Sequence, residues 1–102
     1  MSNCPVACTL TNEELVQRRQ QVLSYLNTAR LETRELPNGL AFRFEANSEV
    51  LTTLIQIIDL ERQCCNFLAF RLILEPQFGP VWLELTGPEG TREMLVSELG
   101  LS

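Results

Sequence analysis

The chain has 102 residues, 45% of them hydrophobic and 21% charged, with 13 acidic residues against 8 basic ones and a net charge of -5. That length suits one domain with a single core, and the composition excludes disordered and fibrous classes. An acidic chain whose basic residues are all Arg also lacks the basic face on which nucleic-acid backbones are held, so no nucleic-acid partner is expected. No segment approaches the roughly 18 apolar residues of a membrane span. The first eight residues have neither the basic nor the long apolar region of a secretory leader, so a cytoplasmic location is expected. Thiols stay reduced in that compartment, and the four cysteines therefore read as ligands, reactive groups or small buried hydrophobes, not as a disulfide framework.

Residues 1–10 lack helical periodicity and read as an irregular arm carrying Cys4 and Cys8. Thr11-Asn12-Glu13-Glu14 fits a capping box, with the Thr11 hydroxyl accepting from the Glu14 amide and the Glu14 carboxylate reaching back to Thr11. A first helix should start there and fade near Asn27 or Ala29, with Leu15, Val16, Val22, Leu23 and Leu26 as its apolar stripe. Leu31–Leu36 and Leu40–Glu45 flank Pro37-Asn38-Gly39, whose Asn and Gly tolerate positive φ. The pattern is a hairpin with a polar first strand suited to a sheet edge and a second, half-buried strand led by Leu40, Phe42 and Phe44.

Ala46-Asn47-Ser48 offers a cap for a central helix over residues 48–65, in which Val50, Leu51, Leu54, Ile55, Ile57, Ile58 and Leu60 recur at helical spacing. Phe70–Glu75 and Val81–Leu85 bracket a longer Pro/Gly loop and read as a second hairpin. Gly87-Pro88-Glu89-Gly90 then opens a last helix, with Pro88 in its first turn, Met94, Leu95, Val96 and Leu99 on its apolar face, and Gly100 ending it. The expected architecture is α+β: an N-terminal helix, then two β-β-α units, with a four-stranded antiparallel sheet and helices packed on one face. The units echo one another about forty residues apart. The uncovered sheet face must be polar or bury itself in a partner, and Ala41, Ile73 and Trp82 could help form such a surface; a homodimer is the simplest expectation.

The chemistry concentrates at Glu61-Arg62-Gln63-Cys64-Cys65-Asn66-Phe67-Leu68, where the central helix gives way to a strand. As helix neighbours, Cys64 and Cys65 diverge by about 100° and cannot share one core position, so one would be buried and the other would sit at the helix end. Cys4-x-x-x-Cys8 adds a second thiol pair at a spacing found in zinc sites. With no histidine in the chain, coordination must be all-thiolate or thiolate plus oxygen, which suits zinc or another thiophilic metal or metalloid such as Hg(II) or As(III). Arg62 could favour thiolate formation, whereas the helix C-terminus, Asp59 and Glu61 oppose it, which favours ligand over nucleophile.

The run Glu61-Arg62-x-Cys64-Cys65-x-Phe67-Leu68-x-Phe70-x-Leu72, followed by Leu85–Gly90, resembles small bacterial proteins without assigned activity, some associated with mercury- or metal-responsive regulators. The resemblance covers most of the chain, including Cys8-Thr9-Leu10-Thr11, departs at Asn66 where a proline is expected, and brings no catalytic residues. The leading expectation is soft-metal or metalloid binding through Cys4, Cys8, Cys64 and Cys65. A dimeric interaction module with buried structural cysteines and a thiol-dependent redox enzyme are the alternatives. The carboxylates Glu13, Glu14, Glu32, Glu35, Asp59 and Glu61 read as solvated helix faces before an acid-base pair. No phosphate cradle is present, and without histidine a conventional serine triad is excluded.

Overall fold

The computed structural model describes residues 13–101. The proposed capping box at Thr11, with the arm bearing Cys4 and Cys8, lies outside the described residues. Among those described, the order is α1 (Glu13–Ala29), β1 (Glu32–Leu36), β2 (Gly39–Phe44), α2 (Ser48–Cys64), β3 (Ala69–Leu74), β4 (Val81–Thr86) and α3 (Thr91–Leu99). This is the expected α+β arrangement. The strands form one antiparallel sheet in the order β1-β2-β4-β3, so the second strands of the two hairpins lie side by side at its centre.

Strand periodicity decides which residues meet the helices. Leu40, Phe42 and Phe44 on β2 are opposite Leu85, Leu83 and Val81 on β4, and all six are buried. They share one apolar cluster with Val22 and Leu26 of α1, Leu54 and Ile57 of α2, and Leu95 and Leu99 of α3, which places the three helices on one face of the sheet. Phe42, Phe44, Leu54 and Leu83 are fully excluded from solvent, and burial of side chains this size contributes about 1.5–3 kcal/mol each.

The other face carries Ala41, Ile73 and Trp82, as the alternation requires, together with Glu32, Arg34, Arg43, Arg71 and Glu84. Glu32 accepts from Arg34 Nε at 2.8 Å and from Arg43 Nε at 3.0 Å, while the Arg34 guanidinium lies 4.4 Å from the Trp82 ring centroid. The face on which the homodimer expectation rests is thus mixed in character, not apolar.

Two local expectations are corrected. Gly39 does not supply positive φ, which among the described glycines occurs at Gly90 and Gly100. Gly39 already opens β2, and a Cβ there would lie 1.9 Å from the Leu85 carbonyl oxygen, so close approach of two central strands is what requires glycine. The last helix starts later than Pro88: left-handed Gly90 (φ 97°) is its N-cap, and the Thr91 hydroxyl and amide both bond back to the Pro88 carbonyl, at 2.6 and 3.1 Å, in a separate turn before the helix. Its end at Gly100 (φ 68°) agrees with the sequence pattern.

Candidate functional site

α2 is anchored at its start by Asn47, whose side chain accepts from the Val50 amide at 2.8 Å. From there its core-facing stripe runs through Leu54 and Ile57 to Glu61 and Cys65, steps of three or four residues that keep them on one side. Cys65 is the C-cap, with φ -125° and ψ 73°, so the two cysteines are not both within the helix as expected: the backbone leaves it between them. A pair of backbone bonds pins that exit, from Cys65 N to Glu61 O at 2.6 Å and from Leu68 N to Cys65 O at 3.0 Å. Cys65 is 1% exposed and belongs to the core cluster.

Its sulfur is in a disulfide. The bonded partner lies outside the described residues, as do Cys4, Cys8 and the side chain of Cys64. The expectation of four reduced thiols therefore gives way to at least one disulfide; compartment chemistry argued for reduction, whereas chain geometry governs whether sulfurs meet. Among the described residues no group of three or more Cys, Asp or Glu side chains is arranged to hold a metal ion.

Glu61 is the main revision. It reads from sequence as part of a solvated face, yet it is 2% exposed, with Oε1 3.9 Å from Cys65 Sγ. A disulfide sulfur carries no hydrogen, so this is a contact in the oxidised protein and becomes a possible S–H donor geometry only after reduction. Arg19 of α1 reaches across to it, with Nε 3.2 Å from Glu61 Oε2, while Arg19 Nη2 lies 2.6 Å from Glu98 Oε1 of α3. The Glu98 contact is a short charge-assisted pair. One guanidinium thereby ties α1 to both other helices. Asn27 Nδ2, donating to Leu99 O at 2.9 Å, adds a second tie between α1 and α3.

Burial pushes the Glu61 carboxyl above its ordinary value; Arg19 opposes that shift and Glu98 adds to it. For Arg19, burial works against the charge but is outweighed by the Glu98 and Glu61 carboxylates, and its pKa is raised. Arg62, the cation expected beside the thiols, instead turns to Asp59 at 2.7 Å with a side chain that is mostly exposed. The useful signal was available: Arg19 falls in the Val22–Leu26 stripe and Glu61 in the Leu54–Ile57 stripe, and opposite charges on two apolar stripes are satisfied best by each other.

A groove of about 280 Å³ along the α1–α2 seam is lined by residues including Arg18, Tyr25, Gln56 and Leu60, and by no cysteine among those described. Comparison with protein families, curated proteins and solved structures finds no match for the chain. The resemblance carried by Glu61 through Leu72 consequently assigns no role to any residue here.

Proposed function

We propose that the protein acts through reversible thiol–disulfide exchange at the α2–β3 junction, with Cys65 as one of the two sulfurs. The observation that carries this reading is the disulfide at a buried residue that also touches a buried carboxyl group. In a cytoplasmic setting disulfides are characteristically transient and catalytic or redox-sensing. Exchange needs only a low-molecular-weight thiol or disulfide as co-reactant: two thiolates reduce the protein disulfide and leave as their own disulfide, and the reverse oxidises the protein.

Capture of a soft cation stands as a second reading, on one specific ground. A disulfide brings two sulfurs within bonding distance, so its reduced form presents converged thiols, the feature that an adjacent pair on a regular helix lacks and that Hg(II), As(III) or zinc needs. The oxidised and metal-bound forms would then exclude each other.

The test is a thiol titration of purified protein equilibrated in glutathione redox buffers. A reversible transition consuming two thiols, abolished by Cys65→Ser in protein that keeps its near-UV circular dichroism, supports exchange. An unchanged thiol count across the whole buffer range sinks it. Adding Hg(II), As(III) or Zn(II) to the reduced protein separates the second reading: a fall of two in the thiols titrated under denaturing conditions after stoichiometric metal supports capture, and an unchanged count removes it.

A further inference from the structure

Independently of any thiol chemistry, we infer that the protein forms a symmetric dimer by pairing the outer edge of β3 with the same edge of a second copy. The two edges of the sheet differ in a way that points there. β1 puts Glu32, Arg34 and Glu35 into a strand of five residues, and charge on an edge strand discourages further pairing. β3 (Ala69–Leu74) carries a single charged residue, Arg71, and among the described residues no strand lies beyond it. Leu74 is exposed, and so is Phe78 in the loop that follows. Both line one cavity with Leu51 of α2. Ile55, exposed and one helical turn on from Leu51, extends this apolar strip along the helix.

The backbone decides the register. Glu75 donates to the Pro80 carbonyl at 3.2 Å, and these two residues continue the pairing that sets Leu74 opposite Val81. Hydrogen-bonded pairs alternate along an antiparallel ladder, so Ala69, Arg71 and Ile73 turn their backbone N–H and C=O groups to β4. Phe70, Leu72 and Leu74 therefore turn theirs outward. Under a two-fold axis normal to the sheet, a pairing centred on Leu72 gives all three a partner within the strand: Leu72 meets its own counterpart, and Phe70 meets the second copy's Leu74. Centring on Arg71 would oppose two like charges, and centring on Ile73 would oppose Phe70 to Pro76, which has no N–H. In the register centred on Leu72, Arg71 lies diagonally across from the second copy's Glu75, within reach of a long side chain, and the symmetry repeats the pair. Directly opposed residues also keep the same side of the sheet, so Phe70 and Leu74 meet on the helix side. The axis leaves the helices of both copies on one side of a continuous sheet and brings their Leu51–Ile55 strips towards each other. Backbone polarity, charge and side-chain face thus agree on one occupant, a second copy of this chain.

The experiment combines size-exclusion chromatography and light scattering, from low to high micromolar protein, with amide hydrogen exchange resolved by residue. Wild-type protein should reach twice the chain mass, with the amides of Phe70, Leu72 and Leu74 protected in the dimer and exchanging freely once dilution gives monomer. Leu74→Pro removes an outward N–H from each copy and no bond to β4, so it should weaken dimerisation at least about tenfold while the circular dichroism stays that of wild type. If that variant does not fold, Leu74→Lys, which sets a charge against the second copy's Phe70, makes the same comparison beside the wild-type exchange pattern. Arg34→Ala, on the open sheet face, should leave the dissociation constant unchanged. A monomer throughout, whether or not those three amides are protected, overturns the inference. So does a dimer in which they exchange as fast as in the monomer, or one weakened by Arg34→Ala and not by the Leu74 variants.

Discussion

Two clusters of Arg and Glu hold this molecule together in different ways. Glu32, Arg34 and Arg43 lie on the open sheet face, where the β1–β2 register sets Glu32 opposite Arg43 and the strand period puts Arg34 on the same side. Arg19, Glu61 and Glu98 come from three helices; Arg19 and Glu61 lie beneath the surface, at 7% and 3% side-chain exposure, and Glu98 stands at the solvent edge. The chemical types are the same, but water decides what each is worth. On the sheet, solvent screens the ions and their attraction is small. Between the helices, Arg19 and Glu61 have lost their hydration and depend on each other, so removing one strands its partner.

The largest expected effect follows from that dependence. Arg19→Met should lower unfolding free energy by about 3–5 kcal/mol, because it leaves Glu61 buried without a counter-charge. Arg34→Met should cost less than about 1 kcal/mol. Urea denaturation followed by circular dichroism measures both, and similar losses would erase the distinction between the clusters. Next in size, combining Arg19→Met with Glu61→Leu should recover much of the loss, since an apolar pair can replace a buried ion pair at little net cost. A double-mutant cycle on Arg19 and Glu61 should give a coupling of about 2 kcal/mol or more that survives added salt, whereas the Arg43–Glu32 coupling should vanish in it.

The pH dependence should run in opposite directions at the two places. Glu61 has its folded pKa raised, chiefly by burial, so the folded state holds its proton more tightly than the unfolded chain; its ionisation costs stability as pH rises from 4.5 towards the raised value. Glu32 has its folded pKa lowered, first by the hydrogen bond from Arg34 and then by that from Arg43, so its contribution is complete above 4.5 and is lost as pH falls through the lower folded value. Thermal melts across this range should show that Glu61→Gln flattens the slope above 4.5 and Glu32→Gln the slope below it. A Glu61→Gln profile parallel to wild type would contradict the assigned burial effect.

The smallest effect is spectroscopic. Trp82 is the single tryptophan, so its fluorescence reports the open sheet face alone. Arg34→Ala should move its emission towards that of free indole in water while changing stability by less than about 1 kcal/mol, the scale of an exposed cation–π contact. Arg19→Met should leave the emission of the folded protein unchanged.

What could be read from the sequence follows the same division. The hairpin cluster was legible because its members lie within a dozen residues and a two-residue period fixes their side, as it does for Trp82 and Ile73. Helix and strand order, the cap at Asn47 and the stop at Gly100 were legible for the same reason: local spacing and turn chemistry specify them. The reason for Gly39 was not, because the carbonyl of Leu85 that forbids a side chain there comes from a strand far along the chain.

At the α2–β3 junction the sequence determined that two thiols sit where a helix meets a strand, with Glu61 one helical turn earlier. Only the tertiary structure decided that Cys65 is buried, that its sulfur is bonded to another, and that the cation governing the site is Arg19 and not the adjacent Arg62. The physical reason is that periodicity tells which side of a helix a residue occupies, while burial and charge pairing depend on which other helix is laid against that side.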